Sequence, residues 1–115
     1  MEGIEGKKIT IFTSDEKRLH HRPMHEVIVE MLRDAGIAAA TVTRGMAGFG
    51  EDRKISTIKI EVLSFNLPVV IEASDIAEKI DRVAPILAEM LDGGLMEIMP
   101  VEISRRSPGE SSRPN

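Results

Sequence analysis

Two stretches of this chain place apolar residues at helical spacing, and each is bracketed by runs with the two-residue period of β-strands. That alternation constrains the fold more than any other feature. Lys7 to Thr13 sets Ile9 and Ile11 on one face and Thr10 and Phe12 on the other, which reads as a strand ended by the polar run Ser14 to Arg22. Pro23 suits the first turn of a helix, where its missing N–H costs nothing, and Val27, Ile28, Met31, Leu32 and Ala35 then recur at helical spacing. Gly36 supplies the stop. Ile37 to Arg44 and Ile55 to Leu63 are further β-like runs. In the second, Ile58, Ile60 and Val62 face one way and Lys59 and Glu61 the other, as in a sheet with one wet side. Ser64 to Asn66 turns the chain into Leu67 to Ala73, whose near-continuous apolar character suits a central strand with Pro68 confined to its entry. Ser74 or Asp75 can cap the next helix, and Asp75 with Glu78 has capping-box spacing. Ile76, Ile80, Val83, Ala84, Leu87 and Leu91 mark its buried stripe, and Pro85 inside the pattern predicts a kink or break near Asp81. Gly93 and Gly94 end it before a last strand, Leu95 to Ile103.

The order β-α-β-(loop)-β-β-α-β predicts an α+β, ferredoxin-like (split βαβ) sandwich, with two helices on one face of an antiparallel sheet. At 115 residues and 12.7 kDa there is room for one core. Such a core buries about two-thirds of the unfolded surface. Residues 1–103 are expected to form this domain, and 104–115, SRRSPGESSRPN, a disordered polar tail. With no Cys, disulfides, thiolate zinc sites and thiol nucleophiles are excluded. The start, MEGIEGKKITIF, lacks the basic and long apolar regions of a signal peptide, so a cytoplasmic location is expected. The net charge is −4; the tail carries +2, leaving −6 by subtraction for the remainder. An acidic body with few aromatics disfavours nucleic acid as a partner.

Few residues suggest chemistry. His20, His21 and His25 form an HHxxxH cluster whose imidazoles could ligate zinc, copper or nickel, or stand as solvated histidines at a helix start. Glu26 and Glu30 lie one turn apart opposite Ile28 and Leu32, a spacing open to acid/base work but better read as a solvated helix face. No GxSxG, HExxH or Walker A string occurs, so no enzyme activity is expected. The segment Arg44-Gly45-Met46-Ala47-Gly48-Phe49-Gly50 is more informative, because its glycines let backbone N–H groups approach an anion. Phe49 between two glycines is either a contact point or lid over a ligand, or a hairpin tip folded back on the sheet. Gly93-Gly94 and the dibasic pair Arg105-Arg106 could supply backbone donors and guanidinium groups to a phosphate.

The strings RPMHEVIVEMLRDAGI (22–37), GIAAATVTRGMAGFG (36–50) and LPVVIEASDIAEKIDRVAPILAEML (67–91) resemble the PII-like proteins gathered as domain of unknown function 190. The likeness spans roughly residues 7–103. It implies a homotrimer of ferredoxin-like protomers that binds a small anionic ligand, usually an adenine nucleotide, in clefts between protomers. It also implies a mobile T-loop that engages a target, often a membrane transporter. By position the T-loop is Gly45 to Lys54, with Gly48, Phe49 and Gly50 at its GFG, and the B-loop is Asp92 to Leu95. Pro100-Val101-Glu102 followed by Arg105 and Arg106 is similar to the PVE and basic segment at the PII C-terminus. The B-loop pattern TGxxGDGK has no counterpart, so AMP or cyclic AMP suits the site as well as ADP or ATP, and the absence of Tyr excludes uridylylation. The implied function is a regulatory nucleotide sensor. A CutA-like trimeric metal-binding module is the alternative, on the His cluster.

Overall fold

The computed structural model describes residues 3–58 and 66–104. Strand β1 (Ile4–Ser14) is followed by a two-rung hairpin, β2 (Arg18–Leu19) and β3 (Arg22–Pro23), and by helix α1 (Met24–Asp34). Strand β4 (Ala39–Arg44) leads into a second small hairpin, β5 (Ala47–Gly48) and β6 (Ser56–Thr57). Strand β7 (Pro68–Ile76), helix α2 (Ala77–Met90) and strand β8 (Leu95–Ile103) complete the order.

The main sheet runs β4-β7-β1-β8, with every neighbouring pair antiparallel. β1 and β4 are thus parallel and flank β7, while β7 and β8 are parallel and flank β1. Two interlocked split βαβ units result, as the alternation of periods predicts. Registers Ile9↔Ala73, Ile11↔Ile71 and Ile9↔Ile98 put the odd residues of β1 and β7 on one face. There Ile9, Ile11, Val69, Ile71 and Ala73 pack with Met24, Ile28 and Leu32 of α1 and Ile80, Val83 and Leu87 of α2 in one core. The expected domain core is therefore a single helix-covered sheet face. Among the described residues the opposite face carries no helix, and on it Ile4, Phe12, Leu95 and Met99 are exposed beside the Lys8–Glu72 ion pair at 3.1 Å.

Helix α1 ends by a recognisable motif. Gly36, at φ +80°, closes α1 in a Schellman arrangement: its N–H donates to the Arg33 carbonyl at 3.0 Å, and the Ile37 N–H donates to Leu32 at 3.1 Å. α2 passes through Pro85 without a break. Pro85 and Asp81 both lie on the exposed face, so the Asp81 carbonyl freed by the proline is on the side of the helix away from the core.

The structure departs from the sequence expectation in two places. β7 continues three residues beyond Ala73, because Asp75 stays in the strand and is buried at 1% exposure. Its Oδ2 accepts from the Ala38 N–H at 2.8 Å and its Oδ1 from the Ile76 N–H at 2.7 Å, and the N-cap falls to Ile76, which makes no side-chain capping bond. The second departure concerns Ile55 to Leu63. Within its described part only Ser56–Thr57 is strand, paired to Ala47–Gly48, and residues 59–63 lie outside the described residues. Among the described residues β7 has β1 and β4 as its neighbours.

Candidate functional site

Strand order decides which loops meet. Ser14 pairs with Pro68, Phe12 with Leu95 and Arg44 with Val69, so β1 and β4 end where β7 and β8 begin. The loop after β4 and the loop after α2 therefore converge at one end of the sheet. The post-β4 loop hugs that end: the Gly45 N–H donates to the Pro68 carbonyl at 2.7 Å. Side chains at Gly45 or Gly48 would stand 2.8 or 3.1 Å from the Pro68 ring. From the other side Gly94, at φ +82°, lies so close to β1 that a Cβ would be 2.6 Å from the Phe12 carbonyl oxygen. Glycine is required there on both counts.

Between the loops lies a cavity of about 220 Å³. Gly48, Phe49 and Gly50 line it from one loop and Gly94 from the other, with Phe12 and Pro68 forming part of the sheet end. Four of the residues singled out by sequence thus share one cavity. Gly93 abuts it through the Glu51 side chain, whose carboxyl carbon is 3.1 Å from where a Gly93 Cβ would stand. Gly45 packs on Pro68 at the loop base. Arg44 is held by Asp15, Nε to Oδ2 3.3 Å, while the other Asp15 oxygen accepts from the Leu67 N–H at 3.0 Å. It therefore anchors the loop base in this structure and does not line the cavity. Arg105 and Arg106 lie outside the described residues.

The loop itself is locally ordered. The Ile58 N–H donates to the Met46 carbonyl at 3.0 Å, extending the β5–β6 pairing, and the Arg53 N–H donates to Gly50 at 2.9 Å, closing a turn over residues 50–53. The Phe49 ring faces the cavity yet remains 60% exposed, with the Arg53 guanidinium 5.4 Å from its centroid. It is neither in the core nor free of contacts. The lining also carries Lys17 and Lys54 against Glu16, Glu51 and Asp52, so its charges nearly balance. An anion here depends on bare backbone at the glycines rather than on a strong positive field. Phe12 and Lys17 carry no signal in the sequence, since only the strand order brings them to the loop, and Glu51 is set at the cavity by the turn over residues 50–53.

The histidines serve the small hairpin. His20 and His21, at φ +52° and +68°, are the central pair of the β2–β3 turn, the two positive φ values that a type I′ hairpin requires. His25 is on α1 with its Nδ1 buried and unpaired. Among the described residues no group of three or more His, Asp or Glu side chains is placed to hold a metal. Glu26 and Glu30 are both gripped by Arg22, which donates from Nη1 to Glu30 Oε1 at 3.0 Å and lies 3.7 Å from Glu26. The hydrogen bond from Arg22 holds the Glu30 carboxyl below its ordinary range, the opposite of what a catalytic acid needs. Among the described residues no helix is long and apolar enough to cross a membrane.

Comparison with known proteins places the chain in a family and in a fold. The family model DUF190, described as Uncharacterized ACR, COG1993, matches residues 6–103. The UPF0166 protein MJ1524 of Methanocaldococcus jannaschii is 38% identical over 96 residues, covering 83% of this chain and 88% of its own. A UPF0166 protein of Aquifex aeolicus is 35% identical over 82 residues, covering 71% of this chain and 78% of its own. Among solved structures, CPII, a nitrogen regulatory PII-like protein from Thiomonas intermedia K12 bound to ADP, AMP and bicarbonate, superposes with a TM-score of 0.62. It is 15% identical, and the match covers 90% of this chain and 92% of that one, a likeness of fold.

Proposed function

This chain belongs to the DUF190 family, and with that membership and its PII-like fold as premise we propose that it is a regulatory, non-catalytic protein that binds an adenine nucleotide or a similar small anion. The observation that carries the proposal is the meeting of the Gly48-Phe49-Gly50 loop with Gly94 at one cavity beside Phe12. Gly93 and Gly94 offer backbone to a phosphate, Phe49 offers an exposed aromatic face to a base, and Gly45, Gly48 and Gly50 let the loop move over the ligand. Arg44 at the loop base, and Arg105 and Arg106 in the segment that follows β8, are the cations assigned to the phosphate. The adenine nucleotides found on CPII are bound by that protein and support the same ligand class here.

The site is shared between copies of the chain. A cavity of about 220 Å³ in one protomer is smaller than the roughly 300–1,000 Å³ of sites that enclose a drug-sized ligand, so a neighbouring protomer completes the cleft. The helix-free sheet face, with Ile4, Phe12, Leu95 and Met99 exposed, is the surface that a homotrimer covers. Residues 1–103 make up the assembling unit and 104–115 its tail. The loop Gly45 to Lys54 acts as the T-loop, and with the ligand bound it presents a different surface to a protein target, a membrane transporter being the partner class this fold suggests. Work in the cytoplasm follows from that role.

Titration calorimetry of the full chain with ATP, ADP, AMP and cyclic AMP tests the ligand. Saturable binding of at least one is expected, weakened about tenfold by Phe49→Ala through lost stacking. Silence from all four refutes the nucleotide assignment.

A further inference from the structure

In this structure the chain sets one of its own carboxylates against the glycine that the proposed ligand needs. The turn over residues 50–53, closed by the Arg53 N–H on Gly50, aims Glu51 across the cavity. The Glu51 carboxylate occupies the space that a side chain at Gly93 would fill, with Oε2 nearest and Oε1 3.5 Å from that Cβ position. Gly93 has φ +80° and no side chain, so its backbone is bare to whatever stands there. A negatively charged group at a bare glycine turn is the chemistry assigned above to a phosphate. Here the group is Glu51.

We propose that Glu51 is an internal competitor: its carboxylate latches the loop onto Gly93, and the anionic group of the ligand binds there only by displacing it. The inference rests on the nucleotide reading of the site given above. Two consequences follow from its geometry. Ligand affinity is lowered by the fraction of protein in the latched state. Displacement also frees the turn that carries Asp52 and follows Phe49, so occupancy of the cavity is converted into a change of loop state, and by reciprocity a target that prefers the unlatched loop tightens ligand binding.

Charge alone must be separated from the latch. Asp52 is a neighbouring carboxylate on the same turn and the same cavity, but its Oδ1 accepts from the Lys54 N–H at 3.0 Å. Asp52→Asn is thus the charge-matched control for Glu51→Gln. If the latched state holds about nine-tenths of the ligand-free protein, Glu51→Gln and Glu51→Ala tighten ADP binding about tenfold in calorimetry, and Asp52→Asn by no more than about twofold. Without ligand, both Glu51 variants speed hydrogen exchange of amides 48–53 and Asp52→Asn does not. Equal tightening by the Glu51 and Asp52 variants, or unchanged exchange in the Glu51 variants, overturns the latch. Absence of ADP binding by wild type and all variants refutes the nucleotide assignment instead, and the exchange comparison still decides the latch.

Discussion

Three glycine-to-alanine substitutions at the convergence of the two loops separate the geometric demands of the site. Gly94 combines a φ of +82° with a Cβ position 2.6 Å from the Phe12 carbonyl oxygen, a backbone atom on the central strand that cannot step aside. The left-handed conformation costs a non-glycine residue about 1–2 kcal/mol, and forcing an extra carbon into packed backbone adds about 1–3 kcal/mol. Gly94→Ala should therefore lose about 2–5 kcal/mol, which for a domain of this size lowers Tm by roughly 10–30 °C. Gly93 shares the positive φ, but what its Cβ would meet is the end of the Glu51 side chain, which can swing away. Its alanine variant should lose only the conformational part, about 1–2 kcal/mol. Gly50 has open space around its Cβ position and no positive φ, and its substitution should stay within about 0.5 kcal/mol. Urea denaturation at fixed protein concentration measures all three. The order Gly94 > Gly93 > Gly50 is the prediction. A Gly94→Ala variant as stable as Gly50→Ala would mean that the loop after α2 does not press on β1 as described, and the cavity geometry would fail with it.

Other parts of the structure make separate predictions. Asp75→Asn keeps the shape but replaces one acceptor of the buried carboxylate with a donor facing a backbone N–H. The expected loss is about 1–3 kcal/mol in urea denaturation, and no loss would deny its role in tying Ala38 to the β7–α2 junction. Glu30 is held below its ordinary carboxyl value of 4.5 mainly by the Arg22 hydrogen bond. Its stabilising contribution is therefore present above that value and is lost as pH falls through the lower folded value, so the stability difference between wild type and Glu30→Gln should shrink below pH 4.5. Sedimentation equilibrium should return three chains per particle, and Phe12→Glu on the helix-free sheet face should shift it toward monomer; a monomeric wild type contradicts the shared cleft.

The elements that follow a simple period were legible in the sequence. Ile9 and Ile11, Ile28 and Leu32, and Ile80, Val83 and Leu87 fall in the expected elements because each marks a face buried by one large core, whereas Ala35, expected on the stripe of α1, follows the helix and is exposed. Asp75 was misread because its local signal, an acidic residue three before Glu78, is that of a helix cap, whereas its carboxylate answers an N–H 37 residues away. The pair His20-His21 gave no turn signal, since its positive φ values are those usually met by Asn and Gly. At the site, the glycines at 48 and 94 were legible because backbone demands leave a mark on composition. Phe12 and Glu51 were not, since they reach the cavity only through the β4-β7-β1-β8 order and the turn at Gly50. In this structure Arg44 pairs with Asp15 at the loop base, a partner that no local pattern announces.

A crystal structure of the full chain grown with ADP tests the central claim most directly. The account predicts nucleotide density between two protomers, bounded by Phe49 and Gly94 of one of them, with the phosphates at Gly93 and the Glu51 side chain turned away. Nucleotide bound elsewhere on the chain, or a trimer whose clefts beside Gly48 and Gly93 stay empty at saturating ADP, would contradict it.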